Sequence, residues 1–172
     1  MRPPVAFDRD QAQSAAELWG FNCGPGALCA VTGLTPAKIR PLMGDFESKG
    51  YTNPTLMNEI LARLPIQYRL TYRGDKPGVA VRPGPLSLVR VQWSGRWTDP
   101  GVPMRARYRH THWVAVDGAE VFDINAICSG GWIPMREWSE GLVPWLLKEC
   151  VHGATGGHWV THVLEIEEKE GR

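Results

Sequence analysis

Residues 22–33, Asn-Cys-Gly-Pro-Gly-Ala-Leu-Cys-Ala-Val-Thr-Gly, turn a loop into a helix and put a cysteine at the junction. Asn22 suits the N-cap, where its side-chain oxygen can accept from the open amides of the first turn. Pro25 is tolerated because a first-turn N–H has no intrahelical partner to lose. Leu28 and Val31, with the small Ala27 and Ala30, allow this helix to pack closely against other elements. Gly33 stops it, and Thr35-Pro36 starts another. A thiol at a helix N-terminus feels the positive end of the dipole and the unpaired amides, which favour thiolate. The same amides can stabilise an oxyanion formed when that thiolate attacks a carbonyl. The plainer alternative is that Cys23 is a small buried residue, the usual place for a free cysteine.

The chain has 172 residues, which suits one domain burying about two-thirds of its unfolded surface. Nineteen basic against 18 acidic side chains leave a net charge of +1. That balance argues against a nucleic-acid partner and offers nothing to an anionic membrane. No run approaches the ~18 apolar residues of a membrane span, and the start lacks a signal-peptide core, so a cytoplasmic protein is expected. The four cysteines, Cys23, Cys29, Cys128 and Cys150, match no zinc spacing and are expected to be reduced. Eight tryptophans are spread along the chain and are expected to fill the core.

Residues 1–12 are polar with two early prolines and read as a poorly fixed arm, with a single domain over 13–166 and a charged tail over 167–172. Asn53-Pro54 caps an amphipathic helix whose Leu56, Met57, Ile60, Leu61 and Leu64 share one face, and Pro65 ends it. The second half is mostly strand. Residues 66–72 alternate and predict a half-buried strand, and 86–93 predict a central one. Residues 94–108, with Gly95, Pro100, Gly101 and Pro103, predict a long mobile loop. Strands over 111–116 and 120–124 flank Asp117-Gly118, a hairpin signal. Gly130-Gly131 leads into a helical stretch through Trp138 and Leu147. A glycine-rich turn over 153–157 precedes a last strand, 158–166. Helices first and strands second predict an α+β domain, a helical part packed on an antiparallel sheet.

The hairpin supplies a geometric test. His112, Val114 and Val116 share one face of the first strand, and Val121, Asp123 and Asn125 share one of the second. With Asp117-Gly118 as the turn residues, His112 lies opposite Asp123; one step further, it lies opposite Asn125. Opposed side chains have Cβ atoms about 5 Å apart, within reach of an imidazole–carboxylate hydrogen bond. A Cys-His-Asp/Asn triad follows: Cys23 attacks, His112 moves the proton, and Asp123 or Asn125 fixes the tautomer. His158 and His162 also read as sharing a strand face, but no acidic or thiol ligand completes a metal site, so they are taken as structural. No cofactor or metal is called for.

Residues 22–28 (Asn-Cys-Gly-Pro-Gly-Ala-Leu), 112–116 (His-Trp-Val-Ala-Val) and 121–123 (Val-Phe-Asp) resemble the papain-like cysteine peptidases, nearest to the bacteriocin-processing double-glycine peptidases. The resemblance implies a papain-like fold, with Cys23 as nucleophile, His112 as base and Asp123 as orienting group. Asn125 is the alternative if the orienting side chain is an amide. The family carries a glutamine six residues before the cysteine to complete the oxyanion hole, and Glu17 stands there. Gln13 and the Asn22 amide are the other candidate donors, and Ile124 replaces the proline after the family's aspartate. The chain is also similar to uncharacterised phage or prophage proteins, which would imply association with a virion.

A cysteine hydrolase acting on an amide or peptide bond is the leading expectation, its partner a peptide or protein substrate. Trp19, Trp113 and the loop arginines (Arg96, Arg105, Arg107 and Arg109) are candidates to line the cleft. An inert papain-like binding module and a transglutaminase-like acyl transferase are the alternatives. The sequence does not fix an oligomeric state.

Overall fold

The computed structural model of the protein describes residues 7–107 and 110–167. Its first half is helical: α1 (Arg9–Trp19), α2 (Cys23–Thr32), α3 (Pro36–Ile39), α4 (Phe46–Lys49) and α5 (Pro54–Arg63). Polar side chains cap α1 and α5. Asp8 accepts from the Gln11 amide at 2.9 Å and Asn53 from the Leu56 amide at 2.8 Å, each filling an otherwise open donor. Gly20, Gly33 and Gly50 close α1, α2 and α4 in the left-handed conformation. Helix α1 begins inside the stretch read as an arm, because Asp8 caps it and Phe7 is buried in the core.

Among the described residues, six strands form one antiparallel sheet: β1 (Gln67–Arg73), β2 (Leu86–Gly95), β3 (Thr111–Asp117), β4 (Glu120–Phe122), β5 (Trp132–Pro134) and β6 (Ala154–Glu167). Their spatial order is β1-β6-β2-β3-β4-β5. The protein is therefore α+β, with its helices N-terminal to most of the sheet. Both sheet faces are covered, which explains why β2 is buried over 86–93 rather than alternating. Leu86, Leu88, Trp113, Ala115 and Leu164 face the N-terminal helices. Val89, Val91, Trp93, Val114, Val116 and Val163 face a second layer containing Trp138, Val143 and Leu147. That layer is α7 (Met135–Glu137), a π-helical turn (Trp138–Leu142) and α8 (Val143–Glu149).

Four local expectations are corrected. Residues 94–107 form a 3-10 turn (Arg96–Thr98) and α6 (Met104–Arg107), and the Trp97 indole is tied to the Trp93 carbonyl at 2.8 Å; Tyr108 and Arg109 lie outside the described residues. Residues 154–157 belong to β6, not to a turn. Glu167 ends β6, with the rest of the tail outside the described residues. His158 and His162 fall on opposite faces. The β2–β6 register slips by one residue between Arg90↔His162 and Val91↔Val160, and a bulge of one residue flips the alternation. No helix among the described residues is long and apolar enough to cross a membrane.

Gly131 shows how tightly the hairpin's exit is packed. Its φ is +87°, and an added Cβ would overlap the Phe122 ring, whereas Gly118 at φ +62° faces open space. Gly131→Ala is expected to cost about 3 kcal/mol, strain and overpacking together. Gly118→Ala should cost only about 1 kcal/mol. Urea denaturation of the two variants checks the ranking.

Candidate active site

The site forms where a strand stops early. In the β3–β4 hairpin Val116 pairs with Val121 and Asp117 with Glu120, leaving Gly118-Ala119 as the loop. This is the later of the two registers open to the sequence, and continued upstream it would set Asn125 opposite His112. It is not continued. Strand β4 ends at Phe122, two residues before the expected Ile124, and a 3-10 segment (Ile124–Ser129) begins. Asp123 caps that segment by accepting the Asn125 amide. It therefore meets His112 diagonally rather than directly across, a separation that side chains of this length still bridge.

His112 Nε2 and Asp123 Oδ2 are 2.7 Å apart. Asp123 is fully buried and His112 is 7 % exposed. Such a charge persists in the interior only when its lone pairs are filled. The Trp138 indole donates to Oδ2 at 2.9 Å. The Asn125 main-chain and side-chain N–H groups donate to Oδ1 at 3.0 and 2.9 Å. Asn125 thus holds the carboxylate, and Asp123 holds the imidazole. The Asp123 amide is fixed in turn by the Gly131 carbonyl at 2.9 Å.

Cys23 reaches the other side of the ring. The β3–β4 ladder covers only Ala115 to Asp117, so β3 has no β4 partner at 112 and 113. The N-terminus of α2 delivers the half-buried Cys23 to that open edge. There His112 and the Trp113 main-chain N–H both act on its thiol. With Nε2 committed to Asp123, Nδ1 is the ring nitrogen left for the thiol. Gly24 permits the approach: a Cβ there would overlap the Thr52 side chain.

Burial works against charge on both partners and is overcome on both. It pushes the Cys23 thiol up, but the His112 charge, its hydrogen bond and the Trp113 amide bring it below the ordinary 9.0. It pushes His112 down, but the charges of Asp123 and Cys23 and their hydrogen bonds hold the imidazole well above 6.5. Burial likewise raises Asp123, and His112, Trp138 and the Asn125 amide bring its carboxyl to about 2. Trp93 stacks on His112 with ring centroids 5.5 Å apart, a position that favours a cation over the indole face. Both shifts favour the charged forms, thiolate on Cys23 and imidazolium on His112. By contrast, burial pushes Cys29 up to about 12.

The remaining candidates lie elsewhere or act differently. Asn22 does not cap α2 with its side chain; the amide turns back to donate to the Trp19 carbonyl at 2.6 Å. Trp19 and Trp113 are buried core residues rather than cleft walls, and the Trp113 indole donates to the Thr52 carbonyl at 2.9 Å. Gln13 and Glu17 sit exposed on α1, hydrogen-bonded to each other at 2.8 Å. The charges bearing on the thiol are those of His112 and Asp123. Trp93, Trp138 and the Trp113 main chain escaped the sequence reading, because neither spacing nor residue type marks an indole as a carboxylate donor. No protein-family model, no curated protein and no solved structure matches the chain.

The Asp123 carboxyl sits at about 2 when folded, against the ordinary 3.8. Its contribution is complete above the ordinary value and is lost as pH falls toward the folded one. The difference corresponds to about 2 kcal/mol. Between about pH 5 and pH 2 the parent chain is expected to lose about that much more stability than Asp123→Asn, measured by urea denaturation at each pH.

Proposed function

We propose that the protein is a cysteine hydrolase of papain-like architecture that cleaves an amide or peptide bond through a thioester acyl-enzyme. The observation that carries this reading is the continuous chain from the Cys23 thiol through the His112 ring to the buried Asp123 carboxylate. The Cys23 thiolate attacks the substrate carbonyl carbon, forming a C–S bond and an oxyanion. The first turn of α2 has no side-chain cap, so its amide N–H groups remain available to that oxyanion. The His112 imidazolium gives its Nδ1 proton to the leaving nitrogen as the C–N bond breaks. Water then enters, His112 takes its proton, and hydroxide transfer to the carbonyl releases the acid and restores the thiolate. Asp123 keeps the ring oriented and balances its charge without taking the proton. All four cysteines are free, which suits a reducing compartment where a thiolate nucleophile survives.

A second reading is a papain-like binding module without turnover. It is favoured by one observation: Glu17 occupies the position of the family's oxyanion glutamine, and its partner Gln13 is tied to it.

Alkylation by iodoacetamide separates the two. Thiolate exists above the lowered Cys23 value and imidazolium below the raised His112 value, so the pair spans the interval between them. At about pH 6 Cys23 is expected to react faster than Cys29, Cys128 and Cys150, and His112→Ala should slow it at least tenfold. Uniform slow labelling of all four favours the binding module. With a cleaved peptide in hand, Asp123→Asn is expected to lower kcat on the order of 10²- to 10⁴-fold, and Cys23→Ala to abolish turnover. Incorporation of an amine in place of water would redirect the assignment to acyl transfer.

A further inference from the structure

A cavity of about 310 Å³ lies between the start of α5 and the helix-facing side of the sheet. The N-cap Asn53 with Thr55 and Asn58 of α5 line one side, and Arg73, Arg90 and His162 line it from β1, β2 and β6. The triad uses none of them.

Arg90 sits in the middle of the sheet and is 2 % exposed. Its guanidinium is steadied by two hydroxyls, Thr111 Oγ1 at 3.1 Å and Thr161 Oγ1 at 3.4 Å. Thr161 is the extra residue of the β6 bulge, and that bulge is what turns His162 onto the Arg90 side of the sheet. His162 reports the local potential. Burial, then Arg90, then Arg73 bring its imidazole down to about 4. Both guanidinium groups therefore bear on the His162 imidazole, after burial. Arg73 lines the cavity from the exposed edge strand. Thr55 and Asn58 supply neutral polar groups at the wall. No Asp or Glu is among the described residues that line it.

We propose that this cavity is a binding site for a small oxyanion, a carboxylate or a phosphoryl group, held by the Arg73 and Arg90 guanidinium groups with His162 beside them. Guanidinium forks match both oxyanions in geometry, and two facing one cavity share the charge of one guest. Arg90 pairs with His162 on one side and Trp113 on the other. Arg90 is therefore one strand spacing, about 5 Å, and His162 two, about 10 Å, from the strand position of Trp113.

The test is a titration of the full chain with inorganic phosphate and, separately, with acetate, followed by the His162 imidazole resonance, assigned with His162→Gln. Binding is expected to saturate with a dissociation constant on the order of 1 mM for at least one of the two anions. An anion in the cavity offsets the guanidinium field, so saturation should raise the proton affinity of His162 at least tenfold. Arg73→Gln should weaken binding about fivefold or more, and Cys23→Ala should leave it unchanged. Saturation by phosphate alone assigns a phosphoryl guest, and by acetate alone a carboxylate. A shift reproduced by chloride at equal ionic strength, or no saturation with either anion, overturns the site. Because Cys23→Ala is used for binding, failure here and failure of the hydrolase assignment remain distinct.

Discussion

A histidine and an aspartate are hydrogen-bonded in the interior, and the local structure around them is what makes that bearable. Removing a carboxylate from water costs several kcal/mol unless its lone pairs are satisfied. Asp123 meets the condition through His112, the Trp138 indole and both N–H groups of Asn125. Each donor depends on a different piece of the fold. The end of β4 at Phe122 frees the chain to turn, the 3-10 segment brings Asn125 back, and the C-terminal helical layer lowers Trp138 onto the sheet. The second layer therefore does more than cover apolar strands. It supplies one of the groups that keep the carboxylate ionised.

The sheet divides the chemistry between its faces. His112 and Asp123 belong to the side packed by Trp93 and Trp138, while Arg90 and His162 open toward α5. Cys23 belongs to a helix on the α5 side yet touches His112. It can do so only because β3 lacks a β4 partner at that level. A longer β4 would satisfy more ladder hydrogen bonds and would also wall the thiol off from the imidazole. Sheet regularity has been given up at the position where two layers must meet.

Much of this was legible because short motifs carry local geometry. A cysteine before a Gly-Pro helix start and a histidine on a strand ahead of an Asp-Gly turn are local facts, and the order of helices and strands follows from periodicity. What the sequence hid is what depends on one residue more or less. The hairpin register differs by one step from the simplest placement of Asp117-Gly118, and the bulge at Thr161 moves His162 to the other face. Asn22 has the right side chain for a cap but uses it on the Trp19 carbonyl. The tryptophans could be expected to fill the core, but the indole donation of Trp138 to Asp123 comes from an element far along the chain, and no periodicity encodes it.

The segment 20–24 gathers the local costs of the fold. Phe21 adopts φ +62°, a left-handed conformation that a bulky side chain enters at about 1–2 kcal/mol, and its ring is 53 % exposed. The next helix starts without a side-chain cap, which forgoes about 1 kcal/mol. Gly24 is squeezed against Thr52 with no room for a Cβ. A chain selected for stability alone would relieve each of these cheaply, with glycine at 21 and a serine or aspartate bonding the first turn. The last change would occupy the amides beside the thiol. The strain clusters within two residues of the Cys23 thiol, and capping the helix would occupy the amides that the uncapped start leaves open.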